Sequence, residues 1–75
     1  MNLKQVVGQN LREIRKKRGM TLDDLSIASK MSRTYINDAE RSVKALSLTS
    51  IEKISKALKI EPYLLLLKDG HKKVD

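Results

Sequence analysis

Four polar residues in the middle of the chain have side chains of the types that recognise the edges of nucleic-acid bases. Arg33 can donate two hydrogen bonds to O6 and N7 of guanine, and Asn37 can pair with N6 and N7 of adenine. Thr34 offers its methyl group to that of thymine, and Asp38 can accept from N4 of cytosine. Their spacing places them along one side of an α-helix. The sequence therefore predicts a helix whose exposed side can recognise DNA bases.

Each of these residues also has a simpler interpretation, and the residues alone leave both open. Arg33 could bind a phosphate or extend into solvent, and Thr34 could be ordinary helix surface. Asp38 could form an ion pair with Arg41, which follows three positions later. Tyr35 is better suited to packing or to a phosphate than to a base.

A second set of residues could position the chain on a nucleic-acid backbone. Phosphates receive half or more of the hydrogen bonds in protein–DNA complexes, and helix N-termini supply backbone donors to them. Helix capping alone would also explain Thr21, Ser32 and Ser47, and Lys44 could simply be solvated in a loop. The candidate backbone contacts are Thr21, Ser32, Tyr35, Arg41, Lys44 and Ser47.

Composition favours a polyanionic partner and argues against catalysis. Sixteen Lys and Arg against nine Asp and Glu give a net charge of +7 over 75 residues, which suits nucleic acid or an acidic membrane surface. The chain has no cysteine for a disulfide or a zinc site. We expect the single histidine, His71, to be solvated. We expect Asp23 and Asp24 to interact favourably with the positive end of a helix dipole rather than to act in catalysis. We therefore predict no enzyme activity, metal, cofactor or small-molecule ligand.

Apolar periodicity predicts a compact all-α domain of five helices over residues 1–70, followed by a flexible tail over 71–75. Asn2, Thr21, Ser32 and Ser47 are suited to capping the first four helices, and Pro62 is suited to the first turn of the fifth. No apolar run approaches the ~20 residues of a membrane span, and the basic run 15–18 is short for a membrane-binding helix. No signal peptide is evident, so we expect a cytoplasmic protein. The predicted helices cover about 3–18, 22–29, 33–41, 48–58 and 62–68.

The second and third helices resemble the Cro/repressor-type (XRE-type) helix-turn-helix family. The matching strings are "RGMTLDDLSIASKMSRTYINDAERS" and "LSLTSIEKISKALKI", and the similarity covers nearly the whole chain. The resemblance implies a lambda-repressor-like fold and a sequence-specific DNA-binding regulator. It also implies an ion pair between Arg15 and Glu40 that links the first helix to the end of the third.

Three positions depart from the pattern of that family. Leu22 stands where a glutamine commonly contacts a phosphate, so that contact is lost or supplied by other groups. Ser26 replaces a small alanine, and Lys30 replaces a glycine that is frequent in the turn. Lys30 is therefore expected to accept a left-handed backbone at modest cost. These departures alter the expected backbone contacts but leave the fold prediction intact.

The apolar run Tyr63, Leu64, Leu65, Leu66 and Leu67 predicts a dimer interface on the fifth helix, with a contribution from the C-terminal part of the fourth. A two-fold homodimer would present two recognition helices to a palindromic operator. The runs "RTYI" and "SLTSIEKI" resemble restriction–modification controller proteins, which are dimers that regulate their own operon. That subfamily often has glycine where this chain has Ser42 and asparagine where it has Ala45. An antitoxin that neutralises a partner protein and binds its own promoter is the alternative, although antitoxins usually carry a further neutralising segment.

Overall fold

The computed structural model describes residues 2–75, and within this range the fold is all-helical, as the sequence predicted. A short 3-10 helix, Gly70–Lys73, follows the last α-helix. None of the helices among these residues is long and apolar enough to cross a membrane. The α-helices are α1 (Leu3–Lys17), α2 (Leu22–Ser29), α3 (Arg33–Glu40), α4 (Leu48–Leu58) and α5 (Tyr63–Leu66).

The first four helices begin at the predicted capping residues. Asn2 and Gln5 form a reciprocal capping box at the start of α1, and Thr21 and Asp24 form another at the start of α2. The hydroxyl of Ser32 accepts from the amide of Tyr35 at the start of α3. These side chains satisfy amides that have no partner within the helix, which is why short polar sequences specify the helix starts here.

The core forms where α1 packs against α3, α5 and the C-terminal 3-10 helix, while α2 packs against α3 and α4. Gly8 permits the close approach of α1 to the end of α3, because a Cβ atom there would lie 2.6 Å from the carbonyl oxygen of Ala39. Full burial of each large aliphatic side chain contributes roughly 1.5–3 kcal/mol. The apolar residues with no exposed surface are Leu11, Ile14, Leu25, Ile36, Ile54, Leu58 and Leu65.

The C-terminal segment differs from the predicted flexible tail. Val74 is buried in the core, and only 11% of the side chain of His71 is exposed, so the prediction of a solvated histidine was also wrong. Lys17 donates to the carbonyl oxygens of His71 and Val74. Residues 70–74 therefore form a structured strap across α1, because cations at the end of that helix satisfy the carbonyls of the segment.

Helix α5 is shorter than predicted, and its leucines are divided between two environments. Leu64 and Leu65 are buried in the core, which corrects their assignment to a dimer interface, whereas Leu66 and Leu67 are each 38% exposed. The four-residue helix turns two side chains inward and leaves the rest outward. Tyr63, at 59% exposure, completes the outward-facing set.

Candidate nucleic-acid interface

Helices α2 and α3 form a compact unit joined by a tight turn at Lys30, Met31 and Ser32. Lys30 has a φ of 57° and a ψ of 40°, the left-handed conformation expected where the family often has glycine. The hydroxyl of Ser26 donates to the carbonyl oxygen of Met31 at 2.5 Å. Ser26 is therefore small enough for the position, and its hydroxyl also fastens the turn. The unit holds the start of α3 at the surface.

The exposed side of α3 brings together three of the four residues predicted to recognise bases. Arg33 and Thr34 are exposed and Asn37 is half-buried, while Ile36 on the opposite side is fully buried. Together with Leu22, these three polar residues line a shallow depression of about 270 Å³. This surface presents hydrogen-bond donors, a methyl group and an amide to a binding partner.

Asp38 and Arg41 lie at the margins of this surface. Asp38 lines neither of the depressions described here, and its backbone carbonyl accepts from the amides of Val43 and Lys44. Arg41 is exposed and lines a second depression of about 350 Å³, which also contains Leu22 and Asn37. The two depressions therefore share Leu22 and Asn37 in their linings. Arg33 lines one of them and Arg41 the other.

Leu22 lies between the two depressions, in the middle of the polar surface. Its side chain is half-buried and packs against the core. Because leucine has no side-chain donor, it cannot make the phosphate hydrogen bond that the resemblance would place at this position. A leucine here instead makes the centre of the surface apolar. This departure therefore affects the centre of the candidate interface as well as the predicted phosphate contact.

Three of the predicted backbone contacts are hydroxyl groups that cap helices. They differ in whether the hydroxyl hydrogen is still free to donate to a phosphate. The hydroxyl oxygens of Thr21 and Ser32 accept cap hydrogen bonds, which leaves each hydroxyl hydrogen free to donate. The hydroxyl of Ser47 is paired with that of Ser50 at 2.9 Å, and its amide donates to the hydroxyl oxygen of Tyr35. Thr21 and Ser32 therefore keep a free donor, and Ser47 does not.

The hydroxyl of Tyr35 is engaged with the loop between α3 and α4. It accepts from the amide of Ser47 at 3.2 Å and lies 3.4 Å from the carbonyl oxygen of Ala45. Hydrogen bonding by the side chain of Ser50, opposed by partial burial, lowers the pKa of Tyr35. Tyr35 therefore supports the loop that carries Lys44, whose side chain is exposed.

Arg15 and Glu40 form the ion pair implied by the resemblance. Nε of Arg15 lies 2.6 Å from Oε2 of Glu40, and Nη2 donates to Oε1 at 3.0 Å. The hydrogen bonds that Arg15 donates to Glu40 raise the pKa of Arg15, and Nη1 of Arg15 donates to the carbonyl oxygen of Met20. One guanidinium thus joins α1, the turn before α2 and the end of α3.

Asp23 is paired with Arg33, a contact that the sequence analysis did not predict. Oδ1 of Asp23 lies 3.3 Å from Nε of Arg33, and both side chains are largely exposed. The neighbouring Asp24 accepts from the amide of Thr21, which lowers the pKa of Asp24. The two adjacent carboxylates therefore have separate partners, one in the cap and one on the recognition surface.

A model of the helix-turn-helix family matches residues 11–65, which include α2, α3 and α4. The chain belongs to the helix-turn-helix family. It is a DNA-binding regulator of transcription, as the resemblance in its sequence implied, and its family is one of regulators rather than enzymes.

Similar proteins include controllers of restriction–modification systems. The control protein C.BamHI of Bacillus amyloliquefaciens is 44% identical over 66 residues, which are 87% of this chain and 82% of that protein. The crystal structure of the restriction-modification controller protein C.AhdI from Aeromonas hydrophila is 37% identical, with a TM-score of 0.80 over 83% of this chain and 94% of that one. The hypothetical transcription factor NHTF from Neisseria has a TM-score of 0.87 at 30% identity, over 96% and 83% of the two chains.

Two residues whose contacts the sequence analysis did not predict, Asn10 and Asp23, differ in whether the sequence carried a signal for them. Asn10 is buried on α1 and bonds to the backbone of Leu65, Leu67 and His71. Its place on the apolar stripe of α1, three residues after Val7, could have marked it as an inward-facing polar residue. No comparable signal marks Asp23, because its partner lies on a different helix.

Proposed function

We propose that this helix-turn-helix protein is a controller of a restriction–modification system that binds an operator beside its own gene. The observation that carries the proposal is the grouping of Arg33, Thr34 and Asn37 around one exposed depression at the start of α3. The similarity to C.BamHI and C.AhdI supports the controller assignment. We assign the chain no catalytic step, and we propose that it acts in the cytoplasm.

Helix α3 enters the major groove, which is wide enough for a helix and displays a distinct pattern for each base pair. Arg33 donates to O6 and N7 of guanine, and Asn37 pairs with the edge of adenine. Thr34 contacts the methyl group of a thymine. Asp38 lies outside the depressions, so it makes at most one base contact, to a cytosine amino group at the edge of the site.

Phosphate contacts hold α3 in this register. Thr21 and Ser32 donate their free hydroxyl hydrogens, and the exposed Arg41 and Lys44, which follow the end of α3, supply positive charge. Tyr35 acts by supporting the loop of Lys44 rather than by direct contact, since its hydroxyl is already engaged there. Ser47 also acts without direct contact to DNA, because its hydroxyl caps α4.

We propose further that two copies assemble through an apolar groove, defined as the surface lined by Leu3, Lys4, Val7, Lys44, Ala45, Leu46, Leu48, Ile51 and Leu66. Its volume is about 290 Å³, and its rim includes Leu48 at 80% and Leu3 at 59% exposure. The groove continues onto the outward side of α5. The N-terminal part of α4 thus replaces the C-terminal part predicted from the sequence, whose residues Ile54 and Leu58 are in the core.

A second copy is the occupant that fits this groove, because a two-fold pair places its recognition helices in successive major grooves about 34 Å apart. Such an arrangement predicts a palindromic operator. We propose that the protein is controlled through its own concentration and its dimerisation.

Base recognition is tested with Arg33→Ala on an operator obtained by selection from a random-sequence duplex pool. The affinity ratio between operator and scrambled DNA should fall by a factor corresponding to about 1–3 kcal/mol, with preference relaxed at one base pair. Lys72→Ala is the control, because it removes one positive charge from an exposed residue of the C-terminal strap. An unchanged ratio for Arg33→Ala, measured by fluorescence anisotropy, would contradict the assignment. Footprinting of the DNA upstream of the gene then tests for an inverted repeat.

Dimerisation is tested with Leu48→Gln and Leu66→Gln, which make the groove polar without adding charge. Sedimentation equilibrium should show a dimer for the wild-type chain and a shift towards monomer of at least tenfold in dissociation constant for the double variant. Ile27→Gln is a matched control, because Ile27 is 79% exposed but lies on α2, outside the groove. A monomeric wild-type chain at high micromolar concentration would count against the proposal.

A further inference from the structure

The two acidic residues in the first turn of α2 have different roles. Asp24 is occupied in the capping box, where its carboxylate accepts from the amide of Thr21 at 2.9 Å and its amide donates to the Thr21 hydroxyl at 3.0 Å. Asp23 takes no part in the cap and lies with Oδ1 3.3 Å from Nε of Arg33. Helix-dipole stabilisation accounts for an acidic residue at this place, but not for its contact with a recognition residue on the next helix.

The contact brings the Asp23 carboxylate close to the Nε atom of Arg33, at 3.3 Å. Neither Nη1 nor Nη2 of Arg33 donates a hydrogen bond to another residue among residues 2–75. These two terminal nitrogens are the pair that can meet O6 and N7 of one guanine end-on. Arg33 also lines the depression that contains Thr34 and Asn37.

We propose that Asp23 is a positioning residue for base recognition, which holds the Nε side of Arg33 so that its two Nη groups point at a guanine. The inference rests on the proposed function, since it assigns a second residue to the same recognition event. An unrestrained arginine has several rotatable bonds, and binding must order them at a cost in entropy. A partner that restricts the side chain beforehand reduces that cost for one geometry.

The charge of Asp23 should also affect which DNA is bound. The pair is exposed, with 63% and 72% of the two side chains accessible, so it contributes little to folding stability in water. Its attraction strengthens where DNA excludes water and lowers the local dielectric constant. If Arg33 turns to a phosphate, Asp23 is left unpaired beside a polyanion. Asp23 therefore disfavours non-specific contacts and favours the guanine-bound geometry.

The experiment measures how strongly binding depends on N7 of one guanine. Each guanine of a selected operator is replaced in turn by 7-deazaguanine, which lacks the N7 acceptor. The guanine bound by Arg33 is the one whose replacement weakens wild-type binding by about 5- to 100-fold but leaves the binding of Arg33→Ala unchanged. At that guanine, we expect Asp23→Asn to reduce the penalty at least threefold and to bind random DNA more tightly. Asp23→Glu should retain the penalty.

The controls separate positioning from simple charge and from folding. Glu61→Gln makes the same charge change at an exposed residue between α4 and α5, and its 7-deazaguanine penalty should match that of the wild type. Thermal melting checks that the variants are folded, and Asp23→Ser, which suits the start of a helix, provides a second substitution. A penalty in Asp23→Asn and Asp23→Ser equal to that of the wild type overturns the inference and leaves recognition by Arg33 intact. If no guanine depends on Arg33, both the inference and the proposed base contact fail.

Discussion

At the scale of single residues, the carboxylate of Glu40 is the link between the body of the protein and the end of the recognition helix. Only 5% of the Glu40 side chain and 13% of that of Arg15 are exposed, and the pair is bidentate. A charge-assisted pair of this kind fixes orientation as well as distance. Its energetic importance lies mainly in what remains when one partner is removed, because an unpaired buried charge is strongly unfavourable.

Glu40→Ala should therefore lower the free energy of unfolding by about 2–3 kcal/mol, somewhat less than for a fully buried pair because Arg15 keeps some access to water. Urea denaturation monitored by circular dichroism measures the change. Replacing both partners, Arg15→Met with Glu40→Met, should recover part of the loss because no charge is left unpaired. A Glu40→Ala variant within 0.5 kcal/mol of the wild type would show that the pair is effectively solvated.

At the scale of elements, local signals were sufficient for the helix starts but not for the C-terminal quarter of the chain. Thr21 and Ser32 are read directly from sequence because capping involves residues within three positions. The strap at 70–74 depends on contacts with residues more than fifty positions away, such as those of Lys17 and Asn10. The division of the α5 leucines into buried and exposed pairs depends on the same packing. Tertiary contacts of this kind leave no periodic trace in a four-residue helix.

Asn10 should be the residue on which the strap and α5 depend most. Its amide nitrogen donates to the carbonyl oxygens of Leu65 and Leu67 at 2.9 and 2.8 Å, and its oxygen accepts from the amide of His71 at 3.0 Å. Asn10→Ala removes the partner of the Leu65 carbonyl and of the His71 amide, whereas the Leu67 carbonyl still accepts from the amide of Gly70. We expect the substitution to cost about 3 kcal/mol of unfolding free energy. Urea denaturation measures the loss, and hydrogen exchange should show faster exchange at the His71 amide.

Gln9→Ala is the matched control for this prediction, because Gln9 is the preceding residue on α1 and is exposed. It should change the stability by less than about 0.5 kcal/mol, as surface substitutions usually do. If Asn10→Ala were no more destabilising than Gln9→Ala, water would be replacing the three hydrogen bonds, and the strap would be loosely held.

At the scale of the whole molecule, the sequence predicted the fold class and the family, and three of the residues it proposed for base recognition line one depression beside α3. Periodicity and composition are properties of the whole chain and survive errors at individual residues, which is why these conclusions hold. The sequence could not show that Leu22 lies at the centre of the surface or that Asp23 meets Arg33. Both facts depend on how α2 crosses α3, and that crossing is set by the packing of the entire core.

The net charge of +7 and the proposed dimer together predict how binding responds to salt. Each phosphate contact made by a cation adds about 0.9 to the slope of log affinity against log salt concentration. Lys44 lies in the exposed loop held by Tyr35, and a dimer carries two copies of it. Lys44→Ala should therefore reduce the slope by about two for an operator bound by a dimer, and by about one for a half-site bound by a single chain. Operator and random DNA should lose affinity alike, because a phosphate contact carries no sequence information.

Anisotropy titrations between low and moderate salt measure the slopes, with Lys72→Ala as the control of equal charge. A slope unchanged by Lys44→Ala would identify Lys44 as a solvated loop residue, and a change of one on the full operator would mean that only one of the two loops reaches the DNA.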